Sequence, residues 1–336
     1  MGAVLWLLVY TWQLWLLMLS ALILASAMIP VARLGERWRI PRTFTVIVVY
    51  LGLALIFSIL GRFIVPMLVE QGSEFADKLP AIVANVKGWL STLTELGWAI
   101  PLPGPENWKE ISPTVIENTL LATAGVVGGM IGFLLILFLA AYIVVDGERI
   151  SRGLLALAPP KARQNVSLLA GRVLQRMGGY VRGQIVVSGC VGIILVLGLW
   201  LLGIPYALLI GSLAAVLNVV PFLGATISSV LAILTALNLS LPLALWTALL
   251  FWGVNLIEGK FLVPQLIGRA TELHPLAVML VILLGAKLGG IVGAVVAVPL
   301  LAGAWEIVRV LWVEPNEIIQ KRIAETPELE LRRQAQ

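Results

Sequence analysis

PYALLIGSLAAVLNVVPFLGATISSVLAILTAL, residues 205–237, is the stretch on which the reading of the chain turns. Its 33 residues are largely apolar but carry Asn218, Pro221 and Gly224 at the centre. Two full membrane crossings need about 40 residues, at ~20 each, so the run reads as two short helices meeting near mid-bilayer. A helix broken inside lipid exposes N–H and C=O groups that lipid cannot pair. Such a break survives only where protein or a water-filled cavity surrounds it, which makes residues 218–224 a pointer to a transport site. The plainer reading is a hairpin whose turn contains Pro and Gly.

Outward from this run, no Asp, Glu, Lys or Arg occurs between Gln184 and Ile257. Residues 184–202 supply one span before the broken run and residues 243–257 one after it. A second broken run, LAVMLVILLGAKLGGIVGAVVAVPLLAGAWEIV at 276–308, carries Gly285, Lys287, Gly289 and Gly290 at its centre. It is approached from the opposite side. Span plus broken hairpin therefore occurs twice in opposite orientation, the inverted-repeat arrangement of secondary transporters. Residues 184–308 are the expected transport core, with broken hairpins at 205–237 and 276–308.

The composition agrees with a membrane protein. Of 336 residues 60% are hydrophobic and 12% charged, against about 25% charged in soluble domains. The fold class expected is an all-α polytopic membrane protein whose transmembrane helices include two broken, re-entrant-like hairpins in inverted arrangement. Residues 1–66 form N-terminal membrane helices: a short arm over 2–13, a helix ending near Pro30, then a crossing over 43–66. Arg33, Arg37, Arg39 and Arg42 face the single Glu36 in the loop 33–42. Residues 146–183 carry seven arginines and lysines against Asp146 and Glu148, whereas 67–118 carry seven acids against three lysines. The positive-inside rule puts the two basic loops in the cytoplasm and the acidic one outside.

Within 67–118, Phe75, Leu79, Ile82, Val86, Trp89, Leu93 and Leu96 recur at steps of four and three, the spacing of a helix with a buried seam. The seam packs either on its own chain or on a second copy, which would make a homo-oligomer. Pro80 marks a kink or a helix start. Residues 119–145 cross inward. In 146–183, Val166, Leu169, Val173, Met177 and Val181 mark an amphipathic helix along the inner membrane surface. Residues 309–336 are a cytoplasmic tail.

Catalytic chemistry finds no constellation here. Cys190 and His274 are each the sole residue of their type, so neither a metal site nor a hydrolytic triad assembles, and no phosphate-binding glycine loop is present. The chain reads as no enzyme, with no cofactor. The basic residues cluster beside hydrophobic runs and suit anionic lipid heads rather than nucleic acid.

Candidate solute-binding residues are Asn218, Pro221, Gly224, Thr226 and Ser228 at the first break, which offer hydrogen bonds without charge; the bland reading is a cap and a tight turn. Pro221 should leave the carbonyls of residues 217 and 218 unpaired by their own helix. Lys287 is the one charge deep in the second run, where a charge costs ~2.5 kcal/mol or more. Asn255 and Glu258, three residues apart, could hold a coupling cation such as H⁺ or Na⁺; otherwise Glu258 pairs with Lys260.

IPYALLIGSLAAVLNVVPFLGATI (204–227), IEGKFLVPQLIGRATELHPLAVML (257–280), GGIVGAVVAVPLLA (289–302) and IPVARLGERWRIPR (29–42) resemble the autoinducer-2 exporter family of bacterial membrane proteins. The resemblance covers nearly the whole chain and implies an oligomeric alternating-access carrier of the inner membrane. Its substrate would be a small sugar-derived signal molecule; the alternative is sodium (or lithium)–proton exchange. A third reading is a non-transporting scaffold whose external helix recruits partners.

The charge pattern generates a topology test. In a Cys190→Ser background, single cysteines at position 165 should resist a membrane-impermeant thiol reagent added outside, while those at position 85 should react. Equal labelling at both would overturn the topology and the inverted arrangement with it.

Overall fold

The structure is a computed structural model that describes residues 11–95, 131–221, 223–268 and 273–314. Every regular element among them is helical: α1 (Trp12–Arg37), α2 (Arg42–Glu95), α3 (Ile131–Val145), α4 (Gly147–Ala156), α5 (Arg163–Leu201), α6 (Ala207–Leu217), α7 (Leu223–Leu237), α8 (Leu241–Ile257) and α9 (Pro275–Val308). α8 continues through a π-helical segment, Glu258–Leu262, and a last turn, Val263–Leu266. Among the described residues four helices are long and apolar enough to cross a membrane, or five if α3 and α4, bent by 76°, count as one span. The chain divides into two compact units, one of residues 1–43, 139–182 and 267–336, the other of 44–138 and 183–266.

In the first unit α1 does not end near Pro30, as expected, but runs to Arg37. Proline has no N–H for the carbonyl one turn back, and a substitute donor is at hand. Arg182 on α5 donates through Nη1 to the carbonyls of Ser26, at 3.4 Å, and Ala27, at 3.0 Å. The two helices meet closely here, since a Cβ on Gly178 would stand 2.2 Å from the Ser26 carbonyl oxygen. Ile23, Met177 and Val296 form a small core, with Leu16, Val173, Val181 and Leu300 around it.

That core corrects a second expectation. The amphipathic surface helix and the span 184–202 are one helix, α5, because no proline interrupts residues 163–201. Its stripe of Val173, Met177 and Val181 packs on α1 and α9 instead of lying on lipid headgroups. α9 is broken at Gly289 (φ −128°, ψ 17°) and Gly290 (φ 59°, ψ −143°), the latter a conformation open to glycine alone. A Cβ on Gly293 would stand 2.0 Å from the carbonyl oxygen of Gly285. Residues eight apart in a continuous helix lie about 12 Å apart, so the chain turns back at the break and its arms touch backbone to backbone.

In the second unit α2 runs unbroken through Pro66 and Pro80, so the N-terminal crossing and the start of the acidic region share one helix. Its upper part is tied to the start of α6. Gln71 Oε1 accepts from the Leu209 N–H at 3.0 Å, capping that helix, and Phe75 stands edge-on to Tyr206 with ring centroids 5.4 Å apart. Ile82 is buried as well. At Phe75 and Ile82 the seam thus packs on its own chain, while the side chains of Leu79, Val86 and Trp89 lie outside the described ones. α6 and α7, successive in the chain, pack against each other. A Cβ on Gly224 would meet Asn218 N at 2.5 Å and the Ala214 carbonyl oxygen at 2.6 Å.

Both tight contacts need hydrogen as the side chain. Gly293→Val and Gly224→Val should each destabilise the protein by about 3 kcal/mol. Gly52→Val, at a position with nothing within 4 Å, should change little. Denaturant melts in detergent decide the matter; equal effects at all three sites would contradict the packing.

Candidate functional site

Asn218 closes α6 as its last cap residue, and its side chain is almost wholly buried, 1% exposed. Pro221 stops the helix from continuing, so the carbonyls before it need other donors. The expectation for residue 217 fails, because the turn tightens and the Val220 N–H reaches the Leu217 carbonyl at 3.0 Å. For residue 218 the donor comes from another helix. Gln184 on α5 donates through Nε2 to the Asn218 carbonyl at 2.6 Å, in a buried setting.

The Asn218 amide reaches in a third direction. Its Nδ2 donates to Oε1 of Glu258 at 2.8 Å, so the break in the first hairpin faces a carboxylate supplied by the end of α8. Glu258 opens the π-helical segment Glu258–Leu262, a local widening often found at functional sites. The wider turn gives this stretch of helix a different side-chain register from a plain α-helix.

Three buried polar atoms of the second unit have no partner among the described residues: Asn218 Oδ1, Ser188 Oγ and Ser228 Oγ. Ser188 lies one helical turn after Gln184, and Ser228 one turn after Gly224. A buried polar group without a partner costs about 1–3 kcal/mol, and native proteins keep few of them. Three oxygens that can accept, two of them hydroxyls that can also donate, thus lie on α5, which carries Gln184, at the end of α6, and on α7. This set suits a small hydroxyl-bearing solute or a cation bound through oxygen. Among the described residues no group of three or more His, Cys, Asp or Glu could hold a metal ion.

The remaining sequence candidates distribute unevenly. Pro221 is half-buried in the turn, Gly224 lies buried against Asn218 and Ser228 is fully buried, whereas Thr226 is exposed. Asn255 is exposed too, and only its backbone carbonyl touches Glu258, accepting that residue's N–H. Glu258 is joined to Asn218, and among the described residues no ion pair links it to Lys260. Lys287 belongs to the other unit, at an exposed position two residues before the Gly289 break. Gln184 and Ser188 were not singled out by the sequence reading. Their signal is the spacing of four that puts two polar side chains on one face of an otherwise apolar span.

The family model of the AI-2E family transporters matches residues 1–312. The chain belongs to this family. The match takes in both broken runs and every member of the cluster around Asn218. Relatives include a Bacillus subtilis protein named "Putative transport protein YrrI", 28% identical over 298 residues that make up 84% of this chain and 82% of that one. A Synechocystis protein named "Putative transport protein sll0060" is 27% identical over 81% of this chain and 80% of its own. The Escherichia coli protein named "Putative transport protein YhhT" is 27% identical over 77% and 73%. With its apolar spans, this AI-2E family chain is a multi-pass membrane protein.

The hydrogen bond from Gln184 is open to direct test. Gln184→Leu leaves the Asn218 carbonyl buried and unpaired and should destabilise the protein by about 1–3 kcal/mol. Asn255→Leu, at an exposed position, should stay within about 0.5 kcal/mol of the parent. Denaturant titration in detergent measures both, and a neutral Gln184→Leu would show that the contact carries no weight.

Proposed function

We propose that this AI-2E family chain is a secondary active carrier of the bacterial inner membrane that exports a small polar organic solute, of the autoinducer-2 type, by alternating access. The observation that carries this reading is the buried oxygens without a partner among the described residues, Asn218 Oδ1 at the break between α6 and α7, Ser188 Oγ on α5 and Ser228 Oγ on α7. A hydroxyl-rich solute would complete their hydrogen bonds and offset the cost of keeping them dry. Such a site is uncharged apart from Glu258, as suits a neutral sugar-like molecule. The inverted order that the sequence pattern suggests for the broken runs 205–237 and 276–308 would give the alternating-access scheme its symmetry. The Pro221 turn would serve as the yielding point of the first hairpin.

A second reading, exchange of sodium or lithium for protons, gains from one contact. The sequence places no Asp or Glu near the break of either run, Glu306 standing at the far end of the second, yet the Asn218–Glu258 hydrogen bond brings a carboxylate to the first break. A carboxylate beside an intramembrane amide is a common basis for ion coupling.

Reconstituted vesicles separate the two readings. Under the first, Asn218→Leu should lower solute transport roughly five- to a hundredfold at low substrate, the range for losing a hydrogen bond and leaving its partner unpaired. Pro221→Ala should lower the maximal rate more than the affinity. Under the second, Glu258→Gln should abolish sodium-driven proton flux in vesicles that carry no organic solute. A folded Asn218→Leu protein that transports normally would remove the break from the binding site.

A further inference from the structure

The arginines at the polar end of α1 and the start of α5 have no part in the cluster described above. α1 and α5 run antiparallel and touch where Gly178 meets Ser26. From that contact toward Arg37 on one helix and Ser167 on the other, they leave a cavity of about 650 Å³. Four guanidinium groups line it, from Arg33, Arg37, Arg172 and Arg182, and among the described residues no carboxylate does. Arg172 is engaged by Glu314 at 2.9 Å, and Arg182 gives one nitrogen to the Ser26 and Ala27 carbonyls. Arg33 and Arg37, four residues apart on one helix face, have no hydrogen-bond or ion-pair partner among the described residues. Four guanidinium groups against the one carboxylate of Glu314 leave an excess of positive charge that selects an anion, and guanidinium groups favour the oxygens of a phosphate.

The rest of the lining decides which anion. Ile29, Pro30, Leu34, Leu168 and Leu174 supply apolar walls. Both helices lead from this cavity straight into their membrane spans. Trp38, 77% exposed just past the end of α1, is placed as interfacial tryptophans are. A free phosphate would gain nothing from the apolar walls, whereas a lipid has both a phosphate and chains that follow the spans.

We propose that the wedge between α1 and α5 is a binding site for an anionic phospholipid, its phosphodiester held by Arg33 and Arg37 and its glycerol end resting on Leu34 and Leu168. Basic pockets at the ends of membrane helices are suited to such headgroups. The site lies wholly within the first unit.

The test uses the full-length protein in nonionic detergent, with native mass spectrometry after addition of phosphatidylglycerol or phosphatidylcholine. Phosphatidylglycerol adducts should persist where phosphatidylcholine adducts dissociate. R33Q/R37Q should weaken phosphatidylglycerol binding roughly thirtyfold, while R149Q/K161Q, with the same change in net charge outside the wedge, should stay within about twofold. Should R33Q/R37Q lose helicity, R37Q alone, at the exposed end of α1, carries the test with roughly a fivefold loss expected. Equal retention of the two lipids, or equal losses in the two double variants, overturns the proposal. Displacement of the lipid by millimolar inorganic phosphate also overturns it, in favour of a soluble anion.

Discussion

A backbone carbonyl that loses its helical donor in an apolar setting must find another, and this fold depends on how that demand is met. Pro30 takes a donor from Ser26, and Arg182 gives it back from a neighbouring helix. Pro221 ends the helix that closes at Asn218, and Gln184 donates to the Asn218 carbonyl from a neighbouring helix. Both donors belong to α5, two residues apart, and each serves the unit in which its acceptor lies. Without those side chains the helix breaks would cost about 1–3 kcal/mol apiece, and the lipid around them has nothing to offer in exchange.

Much of the architecture was open to reading from composition and breaker residues. The interruptions at 218–224 and at Gly289–Gly290 showed themselves because Pro and Gly act locally, through φ, ψ and a missing N–H. Helix ends were less legible. Pro30 looked terminal, since a proline's effect depends on whether a distant residue supplies the lost donor, and the polar stretch 146–183 looked like a separate surface element, since its apolar stripe finds its partners on α1 and α9, far away in sequence. The site was half legible for the same reason. Asn218 stood out as a lone amide in an apolar run, and Glu258 as a charge at a span's edge, but their 2.8 Å contact joins residues forty apart. Spacing along one helix could relate Glu258 only to Asn255 or Lys260, and neither proved to be its side-chain partner.

Charge is handled differently in the first unit. Arg176 and Glu306 meet at 2.8 Å with side chains only 8% and 9% exposed. Removing two ions from water costs several kcal/mol each, so such a pair adds little net stability. Its geometric demand is strict, however, because either partner alone would be a buried, uncompensated ion. The pair therefore sets how α5 and the second arm of α9 align, more than how tightly they hold.

The contact between Gly285 and Gly293 also constrains how this sequence can change over time. At most crowded positions a larger residue can be accommodated by shrinking its neighbour. Here the nearest obstacle on each side is the other glycine's backbone, which has no side chain left to give up, although Ala297 also crowds Gly285. A substitution at either position has no compensating partner across the contact. Divergence of this hairpin must then proceed around the pair, by changes in the arms that face outward, with the two glycines held as a fixed point.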